Sequence, residues 1–127
     1  MKRRRGIAAT ELAISLPLLL LVLIGTMEMC TMIRLKQKLK IMAYEGARVG
    51  LLPQAQRDNV VFQCETMAND YRLRNVAVTM SPNDPSSVAS GDWFTVSVTA
   101  PFRGNSLSGA WTFTASDLDE SVSLRKP

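Results

Sequence analysis

Eleven carboxylates, two cysteines and no histidine are the groups with side-chain chemistry to offer in this 127-residue chain. General acid–base work needs carboxylates in a shielded pocket that displaces their pKa values. The acids that cluster do not read that way. Asp117, Asp119 and Glu120 stand in a polar stretch near the end, and Asp84 and Asp92 flank a Pro- and Ser-rich loop. The spacing of Asp117, Asp119 and Glu120 does not match an EF-hand loop, so this group reads as a solvated acidic turn. No G-x-S-x-G elbow and no Walker-type glycine loop occurs. With no His, and with Cys30 and Cys64 far apart, there is no transition-metal set. The residues therefore predict no catalytic site, no metal and no cofactor. Two carboxylates stand apart from the rest: Glu11 and Glu28 bracket an uncharged run, LAISLPLLLLVLIGTM.

That run sets the architecture. Residues 7–33 would form a helix of about 40 Å at about 1.5 Å per residue. This exceeds the roughly 30 Å of a hydrocarbon core. The net charge of +4 is carried by Lys2, Arg3, Arg4 and Arg5 alone, which leaves eleven basic against eleven acidic residues beyond them. A basic patch for phosphate contacts is not indicated, so no nucleic-acid partner is expected. The basic cluster reads instead as a cytoplasmic retention signal. Arg34, Lys36, Lys38 and Lys40 stand beyond the run. Counting cations therefore leaves orientation open. A cleaved secretory signal would need a small-x-small site, and TMEMCTMIR after Gly25 supplies none. Cys30 follows Met27-Glu28-Met29, unlike a lipoprotein cysteine. An uncleaved signal anchor remains one reading of the N-terminus.

A second reading rests on the string KRRRG, four uncharged residues, then Glu11. It resembles the leader of type IV pilin-like proteins, which a membrane aspartyl peptidase cuts after the Gly. The resemblance implies cleavage between Gly6 and Ile7, making Glu11 the fifth residue of the mature chain. The run RRRGIAATELAISLPLLLLVLIGTMEM more closely resembles TadE-like proteins, pseudopilins of the tight-adherence (Flp) pilus system. Gly6, Ala8, Ala9, Glu11, Ala13, Pro17, Leu18–Leu21, Gly25 and Glu28 carry the pattern, and AYEGARVG, with Glu45, Gly46, Ala47 and Arg48, carries a second block. The family usually has an aromatic beside the leader Glu or after the downstream one, where this chain has Leu12 and Met29.

The resemblance implies a protein that works by packing rather than catalysis. Its partners would be inner-membrane lipid, other pilin-like subunits, pilus assembly proteins and a prepilin peptidase. It would sit in the cytoplasmic membrane as a single-pass protein, N-terminus inside and C-terminal domain outside, with a surface pilus as a further location. Glu11 would meet the new α-amine of a neighbouring subunit, offsetting the cost of a carboxylate in a bilayer. A plainer role is a first-turn acid favoured by the helix macrodipole. The alternative for the whole chain is an uncleaved, membrane-anchored extracytoplasmic binding module.

Beyond the membrane the helix is expected to continue over 34–50, where Met32, Leu35, Leu39, Met42, Gly46 and Val49 recur at spacings of three and four. This stripe can cover the chain's own C-terminal domain or pack on other subunits, and partial service of both is expected. Arg34, Lys36, Lys38 and Lys40 fit either headgroups or a solvated turn. Glu28 is placed to snorkel to the outer interface. Pro17 removes one backbone donor inside the span, which neighbouring helices tolerate. Gly46 and Ala47 permit close helix approach, and Glu45 and Arg48 suit a surface pair.

Residues 51–127 read as a small α+β module. A second amphipathic helix is expected over 54–73, with Cys64 as a small buried residue on it. A strand follows at 75–81, then the loop PNDPSSVASGD and a half-buried strand at 93–101. After RGNSLSGA, a second loop or a short irregular segment, a third strand is expected from Trp111 to Leu124, bulged near Asp117–Glu120. The fold class is thus α+β: a long N-terminal membrane-spanning helix continuing outward, a second amphipathic helix and a small three-stranded antiparallel sheet. The segments are a basic leader (1–6), a transmembrane helix (7–33), its extramembrane continuation (34–50) and the module (51–127). No Cys30–Cys64 bridge is expected.

Overall fold

A computed structural model describes residues 2–109 and 116–127, with side chains from Gly6 onward. One helix, α1, runs from Lys2 to Gly50, 49 residues, or about 73 Å at about 1.5 Å per residue. It stays helical through Pro17. After a turn come α2 (Arg57–Asp70), β1 (Ala77–Ser81), a 3-10 turn at Pro85–Ser87, β2 (Trp93–Pro101), the single-turn α3 (Phe102–Asn105) and β3 (Asp117–Arg125). The strands form a three-stranded antiparallel sheet in the order β1-β2-β3. The expected α+β architecture is what the chain adopts.

The core lies between α1, α2 and one face of the sheet. Leu35, Leu39, Met42, Ala43 and Ala47 of α1 are buried, as are Val60, Cys64 and Ala68 of α2. Phe94, Val96, Val98 and Ala100 meet them from β2, where strict alternation sends every second side chain inward. Leu118 completes the layer from β3, with Val122 and Leu124 partly buried against it. The opposite face of the sheet is hydroxyl-rich: Thr95 and Ser123 share a hydrogen bond of 2.7 Å, and Thr99 donates to Asp119 at 2.9 Å.

Four expectations need correction. The second helix starts at Arg57 and ends at Asp70, shorter at both ends than 54–73. Pro53 does not open it, because Gln54 has a φ of 63° and the Ala55 N–H closes a turn on the Leu52 carbonyl at 3.1 Å. At the other end Arg72 takes a φ of 54° and the Leu73 N–H returns to the Ala68 carbonyl at 2.8 Å, a left-handed helix stop. The first strand begins at Ala77, since Asn75 is also left-handed, with a φ of 53°. The third strand carries no bulge: its register with β2 is continuous from Pro101↔Asp117 to Trp93↔Arg125. Asp117 and Asp119 fall on the exposed positions of the alternation, so acidic residues there leave the ladder intact. The start expected at Trp111 lies outside the described residues. The loop expected after β2 contains α3, held by Asn105, whose side chain bonds the Arg74 N–H and carbonyl at 2.8 and 3.1 Å.

Candidate functional site

The N-terminal part of α1 is an apolar rod with nothing packed on it. Leu12, Ile14, Leu18, Leu19, Leu20, Leu21, Val22 and Leu23 are all exposed. Its hydroxyls are satisfied on the helix itself. Thr10 donates to the Gly6 and Ile7 carbonyls at 3.0 and 2.8 Å, Thr26 to Leu23 at 2.7 Å and Thr31 to Met27 at 3.0 Å. Such back-bonding suits a helix that no water reaches. Pro17 is exposed and takes away the donor for the Ala13 carbonyl.

Gly6 and Ile7 lie within α1, exposed, so their peptide bond is part of regular helix. A protease that binds extended backbone must first unwind this turn. The Thr10 hydroxyl on the Gly6 carbonyl adds one bond to break, a contact the spacing argument did not single out. Glu11 is exposed on the following turn.

The bare section of the rod ends at Glu28, which is only 6% exposed. Its carboxylate accepts from the Ser108 N–H at 2.8 Å, from the Ser108 hydroxyl and, longer, from the Leu107 N–H at 3.4 Å. Snorkelling to a free interface was expected, and a loop of the module instead covers this carboxylate. Sequence reasoning missed Leu107 and Ser108, because SLSG carries no periodic signal and lies about eighty positions away.

From Leu35 to Gly50 the stripe predicted from spacing is buried, with Met32 and Val49 at its margins. Its partners are α2, β2 and β3 of the same chain. The block AYEGARVG is the tightest part of that contact. A Cβ on Gly46 would stand 2.8 Å from the Cys64 sulfur, and one on Gly50 would fall into the Phe94 ring. Ala47 is fully buried. Glu45 and Arg48 form a surface pair at 3.6 Å, worth about 0.2–0.5 kcal/mol. Gly46 and Ala47 therefore admit α2 and the sheet, while Tyr44, Glu45 and Arg48 of this block reach outward.

A different stripe stays uncovered. Ile33, Gln37, Ile41, Tyr44 and Arg48 recur at spacings of four, four, three and four, and all are exposed, Ile33 at 52% and Ile41 and Tyr44 at 48% each. This stripe extends the exposed apolar surface of the rod upward past the module. Lys38 stands apart from it, its ammonium 5.4 Å from the centre of the Tyr71 ring.

Cys30 is exposed and Cys64 buried, both as free thiols. Burial, with a smaller contribution from the Glu65 charge, pushes the Cys64 thiol up to about 11. No group of three or more acidic or sulfur ligands that could hold a metal occurs among the described residues.

Residues 6–48 match the model of a family described as TadE-like protein. The match begins at the glycine of the leader and ends at the arginine of the second block, so it covers most of α1 and stops before the module. Neither the curated proteins nor the solved structures include one that matches this chain. The N-terminal helix is thus similar to that of TadE-like proteins over about a third of the chain, and its length and apolar character fit a single-pass membrane anchor.

Proposed function

We infer that this chain is a pilin-like subunit of a tight-adherence pilus system that takes part in assembly through its first helix. The observation that carries this reading is the coincidence of the TadE-like match, residues 6–48, with a helix whose first half is bare and apolar. Lys2 and Arg3–Arg5 hold the N-terminus in the cytoplasm, and the module lies on the other side. A prepilin peptidase cuts after Gly6 once the first turn has unwound. The new amine of Ile7 then lies about one helical turn from Glu11. In a cluster of subunits Glu11 pairs with the amine of a neighbour, which offsets its desolvation and sets the axial register of adjacent helices.

The packing surface is the outward stripe of Ile33, Ile41 and Tyr44 rather than the Leu35–Val49 stripe, which is consumed inside the chain. Lipid and pilin-like subunits are the partners of this surface, and the function is structural rather than enzymatic.

Mass spectrometry of the full chain extracted from membranes, with and without a co-expressed prepilin peptidase, tests the processing step. The expected product lacks residues 1–6. An N-terminus left intact in both samples would instead make the chain an uncleaved anchor for an extracytoplasmic binding module. Glu11→Ala is expected to insert normally and fail to enter the assembly; normal piliation with this variant would reduce Glu11 to a first-turn acid.

A further inference from the structure

The Glu28 contact fixes more than the loop. Residues 7–27 form a helix of about 31 Å at about 1.5 Å per residue, the thickness of a hydrocarbon core of about 30 Å. The next residue is a carboxylate, 6% exposed, and its ligands come from the module. The 106–109 loop therefore lies at the height on α1 where the apolar rod ends. It is a built turn: the Gly109 N–H donates to the Ser106 hydroxyl at 3.0 Å, and Gly109 takes a φ of 64°. The same loop turns Leu107 outward, 66% exposed.

Above this level α1 exposes Arg34 and Lys36. They stand about 9 and 12 Å higher than Glu28 along the axis. Long cationic side chains at that height reach down to phosphates while their stems stay on the helix.

We propose that the 106–109 loop is a lipid-contact element. It seats the module directly on the bilayer, with Leu107 in the interfacial layer and Arg34 and Lys36 on the phosphates of the same leaflet. Glu28 is the positioning residue: it holds the loop at the hydrocarbon boundary and has its own charge satisfied by the loop's N–H groups and the Ser108 hydroxyl. The module then has no free travel along or around the helix, and its orientation to the membrane plane is set. This inference rests on the reading of α1 as a membrane anchor, and it adds which surface of the module touches lipid.

The test uses the full chain, in a Cys30→Ser background, reconstituted into vesicles of mixed neutral and anionic phospholipid. Leu107→Cys, Leu20→Cys and Phe62→Cys each receive a nitroxide label. Phe62 is a 70% exposed residue on α2 and serves as the water-side reference, and Leu20 is the lipid reference within the rod. Accessibility to oxygen relative to a water-soluble nickel chelate reports depth. The expected ratio at 107 lies clearly above that at 62 and below that at 20, and adding Glu28→Ala moves the 107 value toward the 62 value. A lipid-like ratio at 20 with equal, water-like ratios at 107 and 62 overturns the loop contact and leaves the anchor standing. A water-like ratio at 20 overturns the anchor reading itself, and the loop contact with it. A 107 value that Glu28→Ala does not move overturns the positioning role of Glu28.

Discussion

Gly46→Ala probes how closely α1 and α2 approach. The added methyl would stand 2.8 Å from the Cys64 sulfur, 3.4 Å from a Val96 methyl and 3.5 Å from a Val60 methyl. Two effects oppose each other. Ala in place of Gly in a helix interior stabilises by about 0.8–1.0 kcal/mol. Overpacking a filled core costs about 1–3 kcal/mol. Here the sulfur cannot swing away, because Cys64 is fully buried with its thiol 3.6 Å from the Met42 carbonyl. The expected net loss is about 1 kcal/mol. Cys64→Ala alone empties one heavy-atom site and costs about 0.5–1.5 kcal/mol, on the scale of Ile→Val. In the double variant the methyl at 46 enters the space the sulfur leaves, so the clash disappears and the propensity gain remains. The pair is therefore expected to be more stable than the sum of its parts by about 1–2 kcal/mol, within the range of contacting residues. Urea unfolding of the four full-length proteins in detergent micelles, followed by circular dichroism, gives this coupling. Energies that add to within about 0.5 kcal/mol, as they do for distant sites, would refute the close approach of the two helices.

Three further outcomes follow from the described groups. Glu28→Ala is expected to raise hydrogen exchange at the Leu107 and Ser108 amides by roughly tenfold or more, the scale of a hydrogen bond to a charged acceptor, with exchange in β2 unchanged. Cys64 predicts a pH effect of definite sign: the folded thiol keeps its proton to about pH 11 against an ordinary value of 9.0. Between these values the unfolded chain binds fewer protons than the folded one, so stability falls as pH rises and is unaffected below that window. Wild type should thus lose more stability than Cys64→Ala from pH 9 to pH 11. At neutral pH without denaturant a maleimide should modify Cys30 and leave Cys64 untouched.

The parts of the fold legible in the sequence were those where side chains repeat with a structural period. The stripe from Leu35 to Val49 marked the helix face that is in fact buried, and Phe94, Val96, Val98 and Ala100 marked the inward face of β2. The pattern could not say which partner covers the α1 stripe, since a neighbouring subunit and the chain's own sheet present the same apolar surface. Left-handed Gln54, Arg72 and Asn75 gave no warning, because non-glycine residues rarely adopt that conformation. This is why the helix and strand bounds shifted. The acidic group near the end suggested a bulge only because charge was read without its position in the alternation. Glu28 was visible as an anomaly in an apolar stretch. Its ligands were not, as they sit in an aperiodic loop far along the chain.

The single helix from leader to sheet also has an angular consequence. Glu11 and Tyr44 are 33 positions apart on one helix, which is about nine turns and 60° at about 100° per residue. With the module clasped from Glu28 to Gly50, the azimuth of the sheet is geared to that of the leader carboxylate. Inserting one residue between Glu11 and Glu28 would turn the sheet by about 100° while lifting it only about 1.5 Å, and inserting seven would return it to within about 20°. Tolerance to insertions in this segment should therefore follow the helical period rather than the length added. A subunit built this way holds one fixed angle, about 60°, between the bearing of its leader carboxylate and that of its outer stripe.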